Sequence, residues 1–194
     1  MSIDLNLYLN DVPGNWIEQV TKRLAEFGLV CEVHPEFESI YESHTGFLPI
    51  KMKLVNVGLA AARDKDYLTG FECAFVDFNY DEELRFIREP VKPALFEKVL
   101  LNKVQAAPQQ YLKDEITDKL LMGYSKRFEI NWYQSNEELI ANAFAVVLAE
   151  LTSGLLNDPQ ADTYYPAKEA IDSIYEYINQ LPVDEMVPFE GWIE

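Results

Sequence analysis

Residues Ser135 to Ser153 constrain the fold of this chain most. At 3.6 residues per turn, Leu139, Ile140, Ala143, Phe144, Val146, Val147, Leu148 and Leu151 cover most of the circumference of one helix. A helix with so little polar surface has to be covered on several sides, so the rest of the chain must be built around it. Ser135-Asn-Glu-Glu138 reads as a capping box that opens it, with Ser135 as the cap and Glu138 reaching back, and Gly154 reads as its stop. With 194 residues the chain can do this as a single domain, 1–194. A chain of that size buries about 70% of its unfolded surface, so the core needs neither metal nor disulfide.

The segments around the helix alternate between two periods. Ile3-Asp-Leu-Asn-Leu-Tyr-Leu9 has the period of two of a half-buried strand. Trp16, Ile17, Val20, Leu24 and Phe27 share one face of a helix that Gly28 ends, and Leu29–Val33 follows as a strand. Phe47–Val55 and Gly70–Tyr80 read as further strands, with a loop or short helical turn over 56–66. Arg127–Tyr133 reads as the strand before the central helix, and Leu155–Gln160 as a short strand running into a turn after it. Strand–helix–strand units therefore occur in two sheet-forming halves, 1–88 and 125–160. Between them, Pro90, Pro93 and Pro108 punctuate 89–124, where Leu95–Leu101 and Tyr111–Leu121 have the composition of two short helices. Residues 161–194 form an acidic helix, opening at Pro166 and running to about Gln180, and a tail. The expected fold class is α+β: a mixed sheet with helices packed on one face, in ferredoxin-like βαβ halves.

Charge narrows the partners. Lys and Arg number 16 against 33 Asp and Glu, a formal charge of −17. Such a surface repels phosphate backbones and anionic headgroups, so neither nucleic acid nor membrane is expected as a partner. The first residues carry no basic and apolar leader, and the longest apolar run, Ala143–Ala149, is far short of the ~20 residues of a membrane span. The expected compartment is the cytoplasm, where Cys31 and Cys73 read as buried free thiols.

Chemistry is sparsely marked. Cys31, His34 and His44, with glutamates interspersed, have the residue types of a zinc site. A strand would point Cys31 and Glu32 to opposite faces, however, and no second cysteine pair is present, so no metal is assigned. No nucleophile elbow, P-loop or dinucleotide fingerprint occurs, and no catalytic residue or cofactor follows. Thr69-Gly-Phe-Glu72 and Asp158-Pro-Gln160 stand out from their surroundings. Gly70 there can be a positive-φ residue starting a strand, and Asp158-Pro159 a tight turn. The functional alternative is a small hydrolase whose carboxylates, Glu72, Glu150 and Asp158, converge at one end of the sheet.

The largest physical anomaly is at the C-terminal end. Residues 151–194 hold nine carboxylate side chains and one basic residue, Lys168. Glu169, Asp172 and Glu176 form a ridge opposite the apolar face of the last helix, and Asp184, Glu185, Glu190 and Trp192 continue it in the tail. Like charges gathered on one surface repel, and a basic protein would relieve that cost. These seven residues are the expected partner-binding surface, with Phe189, Tyr164 and Tyr165 as further aromatic anchors.

Leu148-Ala-Glu-Leu-Thr-Ser-Gly-Leu-Leu-Asn-Asp-Pro-Gln160, with Thr69-Gly-Phe-Glu72 upstream, resembles a group of small bacterial proteins of uncharacterised role. In these a long helix ending in Leu-Ala-Glu-Leu-Thr-x-Gly leads into Asp-Pro-Gln, and some are associated with toxin–immunity loci. The resemblance spans about a third of the chain and brings no catalytic residue with it. It implies a bacterial cytoplasmic protein with an immunity-type role, an inhibitor that neutralises a basic toxin through its acidic surface.

Overall fold

The period-two segments all become strands of one sheet. In a computed structural model, the structure describes residues 3–39, 46–88, 111–172, 174, 178 and 185–192. The elements are β1 (Ile3–Leu9), α1 (Trp16–Glu26), β2 (Leu29–Val33), a 3-10 turn (Pro35–Ser39), β3 (Gly46–Leu54), β4 (Asp66–Asp77), α2 (Tyr80–Arg88), α3 (Glu115–Leu121), β5 (Lys126–Trp132), α4 (Ser135–Thr152), β6 (Leu155–Asp158), β7 (Thr163–Pro166), α5 (Ala167–Ile171) and β8 (Val187–Pro188). The sheet order is β2-β3-β4-β5-β1-β6-β7, with β8 also paired to β4.

The α+β expectation holds, and the sheet differs from the expected mixed one in direction. Every ladder between these strands is antiparallel. The reason is that the strands joined by α1, and those joined by α4, are not neighbours. β5 and β6 flank α4 in sequence and run the same way, but β1 is inserted between them. That is a split βαβ unit, and the inner order β6-β1-β5-β4 is that of a ferredoxin-like sandwich. β3 and β2 widen it at one edge and β7 at the other.

Side-chain alternation assigns the faces. Leu5, Leu7 and Leu9 of β1, Leu48, Ile50, Met52 and Leu54 of β3, and Phe128 and Ile130 of β5 join one core with α1 and α4. The Trp16 ring meets Phe75 and Phe128 edge-on, each at 5.6 Å between centroids. As expected, α4 is buried from Leu139 to Ala149 save half-buried Asn142, while Leu151 is exposed. Tyr8 points the other way and packs with Phe78, Tyr80, Leu84, Leu121 and Leu155, so α2 and α3 form a smaller cluster on the opposite face. Helices thus form a main layer on one face and a second patch on the other.

Termini follow local chemistry. Gly28 ends α1 with φ +85°, and a Cβ there would lie 2.5 Å from the Val55 carbonyl oxygen, so only glycine fits. The capping box of α4 sits one residue earlier than expected, on Gln134 and Glu137. Glu137 Oε2 accepts from the backbone N–H groups of Tyr133 (2.9 Å) and Gln134 (3.2 Å), which leaves the Ser135 hydroxyl to donate to Glu185. Tyr111–Leu121, expected as helix, contains α3, whose N-cap Asp114 accepts from Ile116 and Thr117 N–H. The helix expected over 95–101 lies outside the described residues. α2, β7 and β8 were not expected. For α2 the signal was Asn79, whose Oδ1 accepts from the N–H groups of Asp81 and Glu82 ahead of an acidic first turn.

Candidate functional site

The three carboxylates expected at one end of the sheet take three separate environments. Glu72 is exposed between buried Phe71 and Cys73, on the face away from α4, and accepts from the Tyr133 hydroxyl at 3.3 Å. That carboxylate is the main reason the Tyr133 phenol is raised above its usual range. Glu150 holds Arg23 of α1 by two hydrogen bonds of 2.8 and 2.9 Å. Asp158 Oδ1 accepts from the N–H groups of Gln160 (2.9 Å) and Ala161 (3.0 Å), which makes Asp158-Pro159 the tight turn that the sequence suggested. Asp158 also lines a hollow on the α4 side with Leu5, Asn142 and Glu169. Glu72 and Asp158 therefore stand on opposite faces of the sheet.

Neither cysteine is poised as a nucleophile. Burial pushes both thiols up to about 12. Cys73 is buried in the main core, and Cys31 is half-buried with its Sγ 3.8 Å from the Leu29 carbonyl. His34 Nδ1 accepts from the Glu36 N–H at 3.2 Å, so in the neutral ring Nε2 carries the proton. His44 lies outside the described residues. Among the described residues no three His, Cys, Asp or Glu side chains are placed to hold a metal ion.

The five expected partner-binding residues that the structure describes divide between two regions. Glu169 and Asp172 are exposed on and just after α5, whose buried side, Ala170 and then Ile174 and Ile178, turns to the core. This region lies at the β6–β7 edge. Glu185, Glu190 and Trp192 lie with β8, beside β4 and the start of α4. Glu176 and Asp184 fall outside the described residues. Trp192 is not a free anchor: it is half-buried and meets His34 and Phe189 edge-on at 4.9 and 5.0 Å. Tyr164 is half-buried and stacks on Tyr8, whereas Tyr165 is exposed.

Trp192 belongs instead to the wall of a cleft. Along one side of β4, β8 pairs with Leu68 and β5 begins pairing at Glu72. At Thr69–Phe71, between the two, the first turn of α4 comes up to β4, and the Thr69 hydroxyl donates to the Asn136 carbonyl at 3.0 Å. A Cβ on Gly70 would sit 2.6 Å from the Phe47 ring and nearer still to the Leu48 carbonyl oxygen. Gly70 has no positive φ, so it is needed for this close approach rather than for the turn geometry expected of it. The result is a cleft of about 560 Å³ between Phe37, Phe47, His34 and Trp192, with Thr69 and Asn136 at its polar end. The sequence singled out Thr69-Gly70 here, and His34 and Trp192 for other roles. Asn136, Phe37 and Phe47 went unnoticed, because each comes from a different part of the chain.

No protein-family model, no curated protein and no solved structure matches the chain. Among the described residues no helix is long and apolar enough to cross a membrane.

Proposed function

We propose that this chain is a non-enzymatic cytoplasmic binding protein whose partner is basic. Its most concrete form is an immunity-type inhibitor that covers the basic cleft of a bacterial toxin. The observation that carries the reading is the distribution of ion pairs. Arg23, Lys51, Lys53, Lys113, Lys119 and Arg127 are each paired with a carboxylate. Glu169, Asp172 and Glu190 are exposed, and none of the ion pairs among the described residues includes them. A charge of −17 left largely uncompensated steers a cationic partner and slows an anionic one. The resemblance of Leu148–Gln160 to proteins of toxin–immunity loci gives the partner its class.

The test begins with capture of the tagged protein from its host together with the products of neighbouring genes. A stoichiometric basic protein whose toxicity is blocked by co-expression supports the reading. The double variant Glu169→Lys, Asp172→Lys should then slow association about tenfold at low salt, with the difference shrinking as the Debye length falls below about 8 Å. A toxin whose association is unchanged by the double variant removes this surface from the proposal.

A further inference from the structure

Asn136 is 7% exposed as a residue, and among the described residues its side-chain amide has no hydrogen-bond partner. It lines the aromatic cleft, where its backbone is fixed from below by the Thr69 hydroxyl at 3.0 Å. A primary amide carries two donors and an acceptor, and those of Asn136 are not sealed off from solvent, so a molecule seated in the cleft can engage them. We propose that this cleft is a binding site for a small, uncharged, planar ring bearing an adjacent N–H and C=O, the lactam edge found in oxidised nitrogen heterocycles. Such an edge forms two antiparallel hydrogen bonds with the carboxamide of Asn136.

Shape and charge select this class over others. The cleft, about 560 Å³, has the size of small-molecule sites and is walled by flat side chains. Phe47 lies over Gly70, and Trp192 packs edge-on against His34 and Phe189, so both rings already flank the cleft. An anion is disfavoured, although the first turn of α4 is close by. The Glu137 carboxylate lines the same cleft, and the chain as a whole carries −17. A bare cation would need more than one carboxylate, whereas Glu137 is the single acidic residue among the described lining residues and its Oε2 already accepts from the Tyr133 and Gln134 N–H groups. An uncharged ring with a polar edge needs neither. This site is independent of the acidic surface at α5, and either proposal can fail without the other.

The experiment compares 2-quinolone, a flat bicyclic lactam, with quinoline, which has the same rings and no lactam edge. Binding to the full chain is followed by calorimetry and by the side-chain amide resonances of asparagine. A fragment of this size is expected to bind with a dissociation constant of about 0.1–3 mM. The Asn136 NH₂ signals should shift more with 2-quinolone than with quinoline, whose ring nitrogen accepts one hydrogen bond and donates none. Asn136→Leu should weaken 2-quinolone about tenfold and quinoline much less, and the retained quinoline binding shows that the variant keeps the cleft. Trp192→Ala should weaken both probes. Equal affinity for the two probes, insensitive to Asn136→Leu, overturns the proposal in favour of a merely greasy crevice. So does the absence of saturable binding of 2-quinolone at about 10 mM.

Discussion

Asp118 offers the sharpest test of how the second cluster holds together. It is 1% exposed, in the middle of α3, and its carboxylate is fully used. Oδ2 accepts from the Leu112 N–H at 2.7 Å and from the Tyr80 hydroxyl, and Oδ1 accepts from the Lys113 N–H at 3.0 Å. One side chain thus ties α3 to α2 and to the segment leading into α3. Replacing it with alanine costs about 1–3 kcal/mol at the buried Tyr80 hydroxyl. The two backbone N–H groups belong to half-buried Leu112 and exposed Lys113, where water partly replaces the carboxylate, at about 0.5–1 kcal/mol each. The expected loss for Asp118→Ala is about 2–5 kcal/mol, or roughly 4–20 °C in Tm for a chain of this length. Asp118→Asn should recover less than half of it, because an amide offers one acceptor oxygen and two donors to a site made of donors. Urea and thermal melts followed by circular dichroism give these numbers, and a cycle with Tyr80→Phe should show a coupling of about 1–2 kcal/mol. A loss below about 0.5 kcal/mol, with coupling near zero, would refute the claim that this carboxylate joins the two helices.

Three further outcomes follow from the same structure. Gly70→Ala should destabilise by about 1–3 kcal/mol, since the new methyl meets the Phe47 ring and the Leu48 carbonyl; the stabilisation of about 0.4–1 kcal/mol expected at an unstrained glycine would contradict that contact. The Asp114 carboxyl is held below its usual range, first by the Thr117 backbone N–H and then by the Thr117 hydroxyl. Its cap on α3 therefore contributes fully above the unfolded value of about 3.9 and is lost as the pH falls through the lowered folded value. Wild type should accordingly lose more stability than Asp114→Asn on acidification from pH 5, and parallel curves would rule the cap out as the cause. With the Cys73 thiol pushed up to about 12, native protein at pH 8 should alkylate at this position about 10³-fold more slowly than unfolded chain. Equal rates in a mass-spectrometric time course would show that the thiol is neither buried nor protonated.

Much of the fold was legible because it is written in local periods. The alternation of Ile3–Leu9 reproduces β1 residue for residue, and the all-round apolar character of α4 located the element that everything else covers. Sheet direction was not legible. Two strands flanking a helix look alike in sequence whether or not a third is inserted between them, and β1 enters that gap from more than a hundred residues away. β7 and β8 are too short, at four and two residues, for alternation to register. The acidic residues were visible as composition, but their separation into an α5 group and a β8 group depends on where β8 rejoins the sheet. The cleft was the least visible feature. Its polar end joins Thr69 to Asn136 across 67 positions, and no local pattern couples them.

The placement of β1 also decides when this molecule can become itself. Its neighbours are Lys126–Trp132 on one side and Leu155–Asn157 on the other. Even the side-chain contact between Asn6 and Asn157, at 3.4 Å, spans 151 positions. On the ribosome, Leu5, Leu7 and Leu9 emerge more than a hundred residues ahead of either partner strand. At about 5–20 residues per second that is a wait of roughly 6–30 s, with an apolar strand unpaired throughout. Long-range antiparallel closure then adds a slow step of its own. An apolar strand that waits so long for its neighbours is open to wrong pairing, so the yield of folded protein should depend on the chaperones that meet the nascent chain.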